Sequence, residues 1–379
     1  MRRLALCLSM VVLAACSAEA EPADGGRLLV TGAEGEVVEL DPVSGEREVL
    51  AGAGGHSGPI QPTASPDGEV VVWTAAAEDG TAIVKVEDAD GVRDIAVPTF
   101  PFFYSFDAQS STVAALGNDP EEPAVALLLI DLSTDVARIV DAGRPYYVDW
   151  HPKDPALAVH VGADRLAILD GEGESREIPV SLGDFQAPAW TPDGEVVAPL
   201  RMEGATVALG TGQATIDELA VIDPADGSHR TLASLEGPVS FEVSGQRVAY
   251  VDGPSGPLNV VDLDGSGQIE VTSDEVFAFE WSPDGDRLLF HSLAEDSGLV
   301  PKVWDGHGVT DYPSYAPSEV FIVEYLPFWS QYHRTITQWA PDGSAFAYAD
   351  GVADPAIWVQ PLDGERREMG PGAMVTWAR

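Results

Sequence analysis

The chain is poor in four things, and each absence narrows what it can be. Cysteine occurs twice in 379 residues, at Cys7 and Cys16. Two thiols cannot make a disulfide framework, and both stand in the first sixteen residues, so thiol catalysis and cysteine–metal sites are excluded from the rest. Lysine occurs only at Lys85, Lys153 and Lys302, and Lys plus Arg number 20 against 62 Asp plus Glu, for a net charge of −42. Such a surface repels phosphates, which excludes nucleic acid as a partner. Dense carboxylate with little lysine suits a salt-tolerant organism, or reflects a codon bias. Long apolar runs are missing: Leu4 to Val12 is far too short to cross a bilayer. Chemical signatures are missing too. No G-x-S-x-G occurs, and none of His56, His151, His160, His229, His291, His307 and His333 stands at a zinc-motif spacing. The Gly-rich "GAGGHSG" and "GTGQAT" do not lie between a strand and a helix, as a phosphate loop must; both read as connections. No cofactor is called for.

What is present begins with an address. "MRRLALCLSMVVLAAC" has a basic start at Arg2 and Arg3, a short apolar core, and then Leu13-Ala14-Ala15-Cys16. This resembles a bacterial lipobox. The resemblance implies cleavage before Cys16, removal of residues 1–15 as a signal peptide, and acylation of the Cys16 sulfur. The alternative is an ordinary signal cut near Ala18-Glu19-Ala20. Two or more acyl chains meet the requirement for stable anchoring. Residues 16–26, small and acidic, then read as a flexible tether.

The body of the chain repeats itself. "WSPDGDRLLF" at 281–290 returns as "WTPDGEVVAPL" from Trp190, "WAPDGSAFAYA" from Trp339, "SPDGEVVVWTA" from Ser65 and, more roughly, "WHPKDPALAVHV" from Trp150. The local physics is a short strand ending in an aromatic, a tight turn, and a second strand. Proline presets φ in that turn, and glycine accepts positive φ at its end. Third and fourth strands follow, as in "ELAVIDPADGSHRTL" and "LNVVDLDGSGQIEVT". Two degenerate turns, at Phe106 and Phe241, fill the gaps. The period is then roughly 40–50 residues, with one longer step between Pro283 and Pro341. Four strands per such period predict an all-β chain, a β-propeller of four-stranded antiparallel blades, over residues 27–379. The count is eight, with seven as the alternative. The chain opens on later strands of a unit and finishes on "AMVTWAR", a first strand alone. One blade shared by both termini is therefore expected to close the ring.

The W-[ST]-P-D-G turn, its apolar strand and the following "V-x-D-x-x-x-G" hairpin resemble the WD40-like (PD40) repeat of TolB-like β-propellers. The resemblance covers residues 27–379 and is best headed by Trp190, Trp281 and Trp339. It implies the fold and says little about function. Members of that group include periplasmic translocation proteins and peptidase propellers, but this chain carries neither the α/β domain of the first nor the hydrolase domain of the second.

Three features could carry function. "DLDGSGQIE" from Asp262 resembles the start of a calcium loop but has Ser273 where a bidentate acid is needed, so it reads as a turn and no metal site is assigned. The long step holds an aromatic-rich insertion, 311–334, with Tyr312, Tyr315, Phe321, Tyr325, Phe328, Trp329, Tyr332 and His333. Tyr312, Tyr315, Tyr325, Phe328, Trp329 and Tyr332 could form a contact or sugar-stacking surface; the alternative is that they pack on neighbouring blades. The third feature is a polar column one residue before each blade aromatic: Thr63, Ser105, Asp149, Ala189, Ser240, Glu280, Gln338 and Thr376. Asp149 and Glu280, with His333, are the weak catalytic candidates, for acid/base work or for holding a cation; a structural hydrogen-bonding role is the alternative.

The expectation is a monomeric, non-enzymatic, lipid-anchored extracytoplasmic propeller that binds another envelope protein or polymer. Two other readings stand beside it. One is a propeller hydrolase or lyase acting on a glycan or lactone at the channel mouth. The other is a small-ligand or metal binder in the channel.

Overall fold

The structure is a computed structural model that describes residues 26–52, 61–209, 212–295 and 298–379, with side chains of 203–216 left aside. Residues 1–15, Cys16 and the tether up to residue 25 lie outside the described residues, as do all of "GAGGHSG" after Gly52 and the first two residues of "GTGQAT". No described helix is long and apolar enough to cross a membrane.

The chain folds almost entirely into antiparallel sheets, as the repeat predicts. Most begin with the strand that ends in the repeated turn; the three-stranded sheet starts at Ala345, just after its turn, with Trp339 joined to Phe346 by a single bridge. In the unit at Trp281 the turn is held as the residue types require. Ser282 N and O bond to Arg287 O and Gly285 N, the Ser282 hydroxyl donates to Asp284 Oδ1, and Gly285 has φ +72°. In the degenerate turn after Phe106, Ser110 takes positive φ in place of glycine (φ +57°). That conformation costs about 1–2 kcal/mol for a side-chain-bearing residue. Here it is offset by Asp107, whose carboxylate accepts from the N–H groups of Ser111 and Thr112 and from the Ser111 hydroxyl.

Among the described residues six sheets have three or four strands, and one has seven. The seven-stranded sheet arises because the strand Ile269–Trp281 pairs with Gly256–Asp262 through its first half and with Leu288–Leu293 through its second. The ring closes where the last strand, Met374–Ala378, pairs with the first, Arg27–Thr31, with Leu29 opposite Thr376. Both termini therefore complete one sheet, as expected from the half-units at the chain ends.

Neighbouring sheets are latched through their first strands. The indole N–H of Trp150 donates to Ser105 O (2.9 Å), that of Trp190 to Asp149 O (3.0 Å), and that of Trp339 to Glu280 O (3.1 Å). Each of these three tryptophans thus reaches back one unit to a carbonyl of the polar column, which satisfies a buried indole N–H; the buried indole of Trp377 has no such acceptor among the described residues.

Candidate functional site

The column itself is wired into these latches. Asp149 Oδ2 accepts from Trp190 N (2.8 Å), and its other oxygen meets Arg334 (2.9 Å). Glu280 accepts from Gln338 N (2.9 Å) and from the Thr337 hydroxyl. One member of the column is displaced from its expected position. Phe241 is the visible aromatic of its unit, which points to Ser240. The register instead pairs Val243 with Val248 as Trp281 pairs with Leu288, and so puts Glu242 where Glu280 stands. Glu242 Oε2 duly accepts from Trp281 N (3.0 Å). Aligning on the second strand, Arg247-Val248 against Arg287-Leu288, would have found it.

Three carboxylates therefore line the inner ring, and burial raises the pKa of each. Glu280 is pushed up to about 8. Glu242 stands well above its ordinary value, from burial first and from its neighbour Glu280 second. Asp149 is raised by burial, against the pull of Arg334. His333 moves the other way, to about 3, through burial and the Arg334 charge. Asp149 and Glu280 sit in units separated by the first strands Ala189–Trp190 and Val239–Ser244. Each is engaged by backbone N–H of the next unit, so the two do not face each other across one reacting bond.

The insertion 311–334 is not an open platform. Its middle folds into short helical turns, Phe321–Tyr325, Leu326–Phe328 and Trp329–Tyr332, and these reach the inner strands on all sides. Gln331 bonds both N and O of Val148 (2.8 and 3.0 Å). The Trp329 indole donates to Phe279 O (3.2 Å), Ser330 meets Ser240 (3.1 Å), and the Tyr332 hydroxyl meets Phe102 O (3.4 Å). Ser318 donates to Ala373 O (2.6 Å), and Thr335 accepts from Gln61 (2.7 Å). One segment can touch strands from so many units only from the axis, so it plugs the channel. Tyr315, Tyr325, Trp329 and Tyr332 are buried, Tyr312 is half-buried over Phe346, and Phe328 is 46% exposed. Four of the six rings expected to form a surface are therefore packed into the ring instead. A wide lumen lined by backbone edges is costly to leave open, and a segment this aromatic gains most by filling it.

The plug leaves a cleft of about 930 Å³ beside it, walled by Tyr147, His160, Phe185, Gln186, Phe241 and Phe279 and by the plug's own Ile322, Leu326, Ser330 and His333. It opens where the first strands begin, at Arg144, Gly183 and Pro238, and so on the face opposite the repeated turns. Of the earlier candidates His333, the rings of Trp329 and Ser240 of the polar column border it. Asp149 and Glu280 do not. His160, Gln186 and the rim arginines carried no sequence signal, because their grouping depends on strands far apart in the chain.

The "DLDGSGQIE" stretch is the turn between Gly256–Asp262 and the following strand, with Gly265 N bonded to Asp262 O (2.8 Å).

No protein-family model and no curated protein matches the chain. Solved structures do. The chain is similar to a dihydro-heme d1 dehydrogenase, NirN, in complex with DHE, at 15% identity over 94% of this chain and 76% of that one, TM-score 0.62. It is similar to an oligogalacturonate lyase in complex with manganese, at 15% identity over 80% and 85%, TM-score 0.54. It is also similar to the β-propeller domain of the trilobed protease from Pyrococcus furiosus, at 14% identity over 82% and 97%, TM-score 0.51. At these identities the likeness establishes the architecture, a β-propeller, and nothing about chemistry.

Proposed function

We infer that the protein is a lipid-anchored extracytoplasmic propeller that binds a protein segment or envelope polymer in the cleft beside its plug and leaves it chemically unchanged. The observation that carries this reading is the cleft wall. It combines aromatic faces with buried polar atoms that have no partner, namely His160 Nε2, Gln186 Oε1 and His333 Nε2. An apolar concavity with a few convergent polar groups is what a binding site needs. The carboxylates that an enzyme reading would require are instead occupied by inter-blade hydrogen bonds. The tether fits this arrangement. Gly26 lies on the turn face, where a Cβ would fall 2.2 Å from Ala378 O and 2.7 Å from Pro341. An anchor at Cys16 would then join the domain on the face opposite the cleft.

The volume favours a second reading as well. About 930 Å³ lies within the range of small-molecule sites, so a metabolite could be the occupant. A photo-crosslinking phenylalanine at Tyr147, compared with one at Val49, which is 64% exposed on an outer strand, tests both. Crosslinks at Tyr147 alone, in cells producing the full chain, support the cleft, and their mass identifies polymer or metabolite. Equal labelling at both positions, or none, removes the reading.

A further inference from the structure

The cleft departs from the rest of the surface in charge. The chain carries 62 acidic residues against 20 basic ones, yet the wall has Arg144 and Arg201 against a single carboxylate, Asp184. Arg144 is exposed and has no ion pair among the described residues. Among the described residues Arg201 approaches only Asp217, at 3.8 Å, with its side chain 51% exposed. Two guanidinium groups are thus held over the cleft with most of their donors unspent.

Deeper in the wall the polarity inverts. His160 Nδ1 lies 2.7 Å from Gln186 O. A carbonyl only accepts, so Nδ1 carries the proton and Nε2 is a bare lone pair. His333 has the same tautomer, its Nδ1 meeting Trp329 O at 2.6 Å, and its Nε2 faces Glu242 Oε1 at 4.0 Å, beyond hydrogen-bond reach. Gln186 spends its Nε2 on Pro327 O (2.9 Å), which leaves Oε1 as the free end. His160 and His333 are 3% and 6% exposed, and all three acceptor atoms are buried without a donor. Each carries an unmet desolvation cost, which a bound donor recovers. His160 also lies flat on Phe185, 4.1 Å between centroids and 2° between planes, which fixes the ring.

A ligand for this wall carries clustered donors on its inner side and an anion on its outer side. A peptide strand fits poorly, because its N–H groups alternate with carbonyls and so present no cluster of donors to these three acceptors. Hydroxyls both donate and cluster. We propose that the cleft binds a negatively charged saccharide, its hydroxyls donating to His160, His333 and Gln186 and its charged substituent held by Arg144 and Arg201. The proposal rests on the cleft being a binding site. The anion is a carboxylate or a phosphate, which share this chemistry.

Calorimetry of the full chain in detergent at low salt, with glucuronate, glucose 6-phosphate and glucose as probes, tests it. At least one charged sugar is expected to bind tenfold or more tighter than glucose, and the tighter of the two names the anion. Arg144→Ala with Arg201→Ala should weaken that binding at least tenfold. His160→Phe, which keeps the stacked ring but removes the lone pair together with the Nδ1 bond to Gln186 O, should weaken it severalfold at temperatures where the variant is still fully folded by circular dichroism. Equal affinity for glucose, unaltered binding by the double arginine variant, or no binding of any of the three overturns the proposal. If sugars fail while Tyr147 still crosslinks an occupant, the saccharide falls and the binding cleft stands. If both fail, both fall.

Discussion

Gln331 offers the most direct measure of how the plug is held. The first strand Tyr146–Trp150 pairs only with Ala156–Val161, so its inner edge has no strand partner. The N–H and C=O of Val148 on that edge are met by the side-chain amide of Gln331, Oε1 at 2.8 Å and Nε2 at 3.0 Å. Gln331 is 4% exposed, and its amide stands in for a missing strand. Gln331→Met keeps the volume and removes both bonds. Each stranded backbone group costs about 1–3 kcal/mol, and water entry repairs part of this, so the expected loss is about 2–4 kcal/mol. Urea unfolding followed by circular dichroism measures it, and hydrogen exchange at the Val148 amide should accelerate in parallel. A change below about 0.5 kcal/mol, within the range of ordinary surface substitutions, or an unaltered Val148 exchange rate, would refute the account of the plug as a structural part of the ring.

Three further outcomes are expected. Glu280 has its pKa raised from 4.5 to about 8, so the native state binds its proton more tightly than the unfolded chain. Its penalty is absent below pH 4.5, grows as pH rises, and is complete above 8. Stability should fall across that window by up to about 1.4 kcal/mol per pH unit, and Glu280→Gln should flatten the slope seen in urea titrations at several pH values. Glu242 acts in the same direction and leaves a residual slope. Arg334→Ala removes the cation from Asp149, whose side chain is 19% exposed. A loss of about 2–4 kcal/mol is expected, with more than half recovered when Asp149→Asn is added, both read by urea unfolding. Cys16→Ser should abolish labelled palmitate incorporation and move the protein from the membrane to the soluble fraction.

The two kinds of structural information divide cleanly along range. Turns, strands and the repeat were legible in the sequence because each is decided within about ten residues. Proline and glycine fix a turn wherever they occur, and alternating apolar residues fix a strand beside it. Closure of the ring was legible for the same reason, since two half-units at the chain ends can be matched by inspection. Ser240 was named where Glu242 belongs because a visible aromatic is a weaker register mark than the pairing of two strands. What the tertiary structure alone decided is what lies on the axis. Nothing local distinguishes rings that face solvent from rings that fill a lumen. The fate of Tyr325, Trp329 and Tyr332 depended on the width of a channel built by strands hundreds of residues away, and so did the meeting of Arg334 with Asp149. The cleft is the further consequence. His160, Gln186 and His333 come together because the plug fills the ring incompletely, and the space left over is set by packing among distant residues rather than by any stretch of sequence.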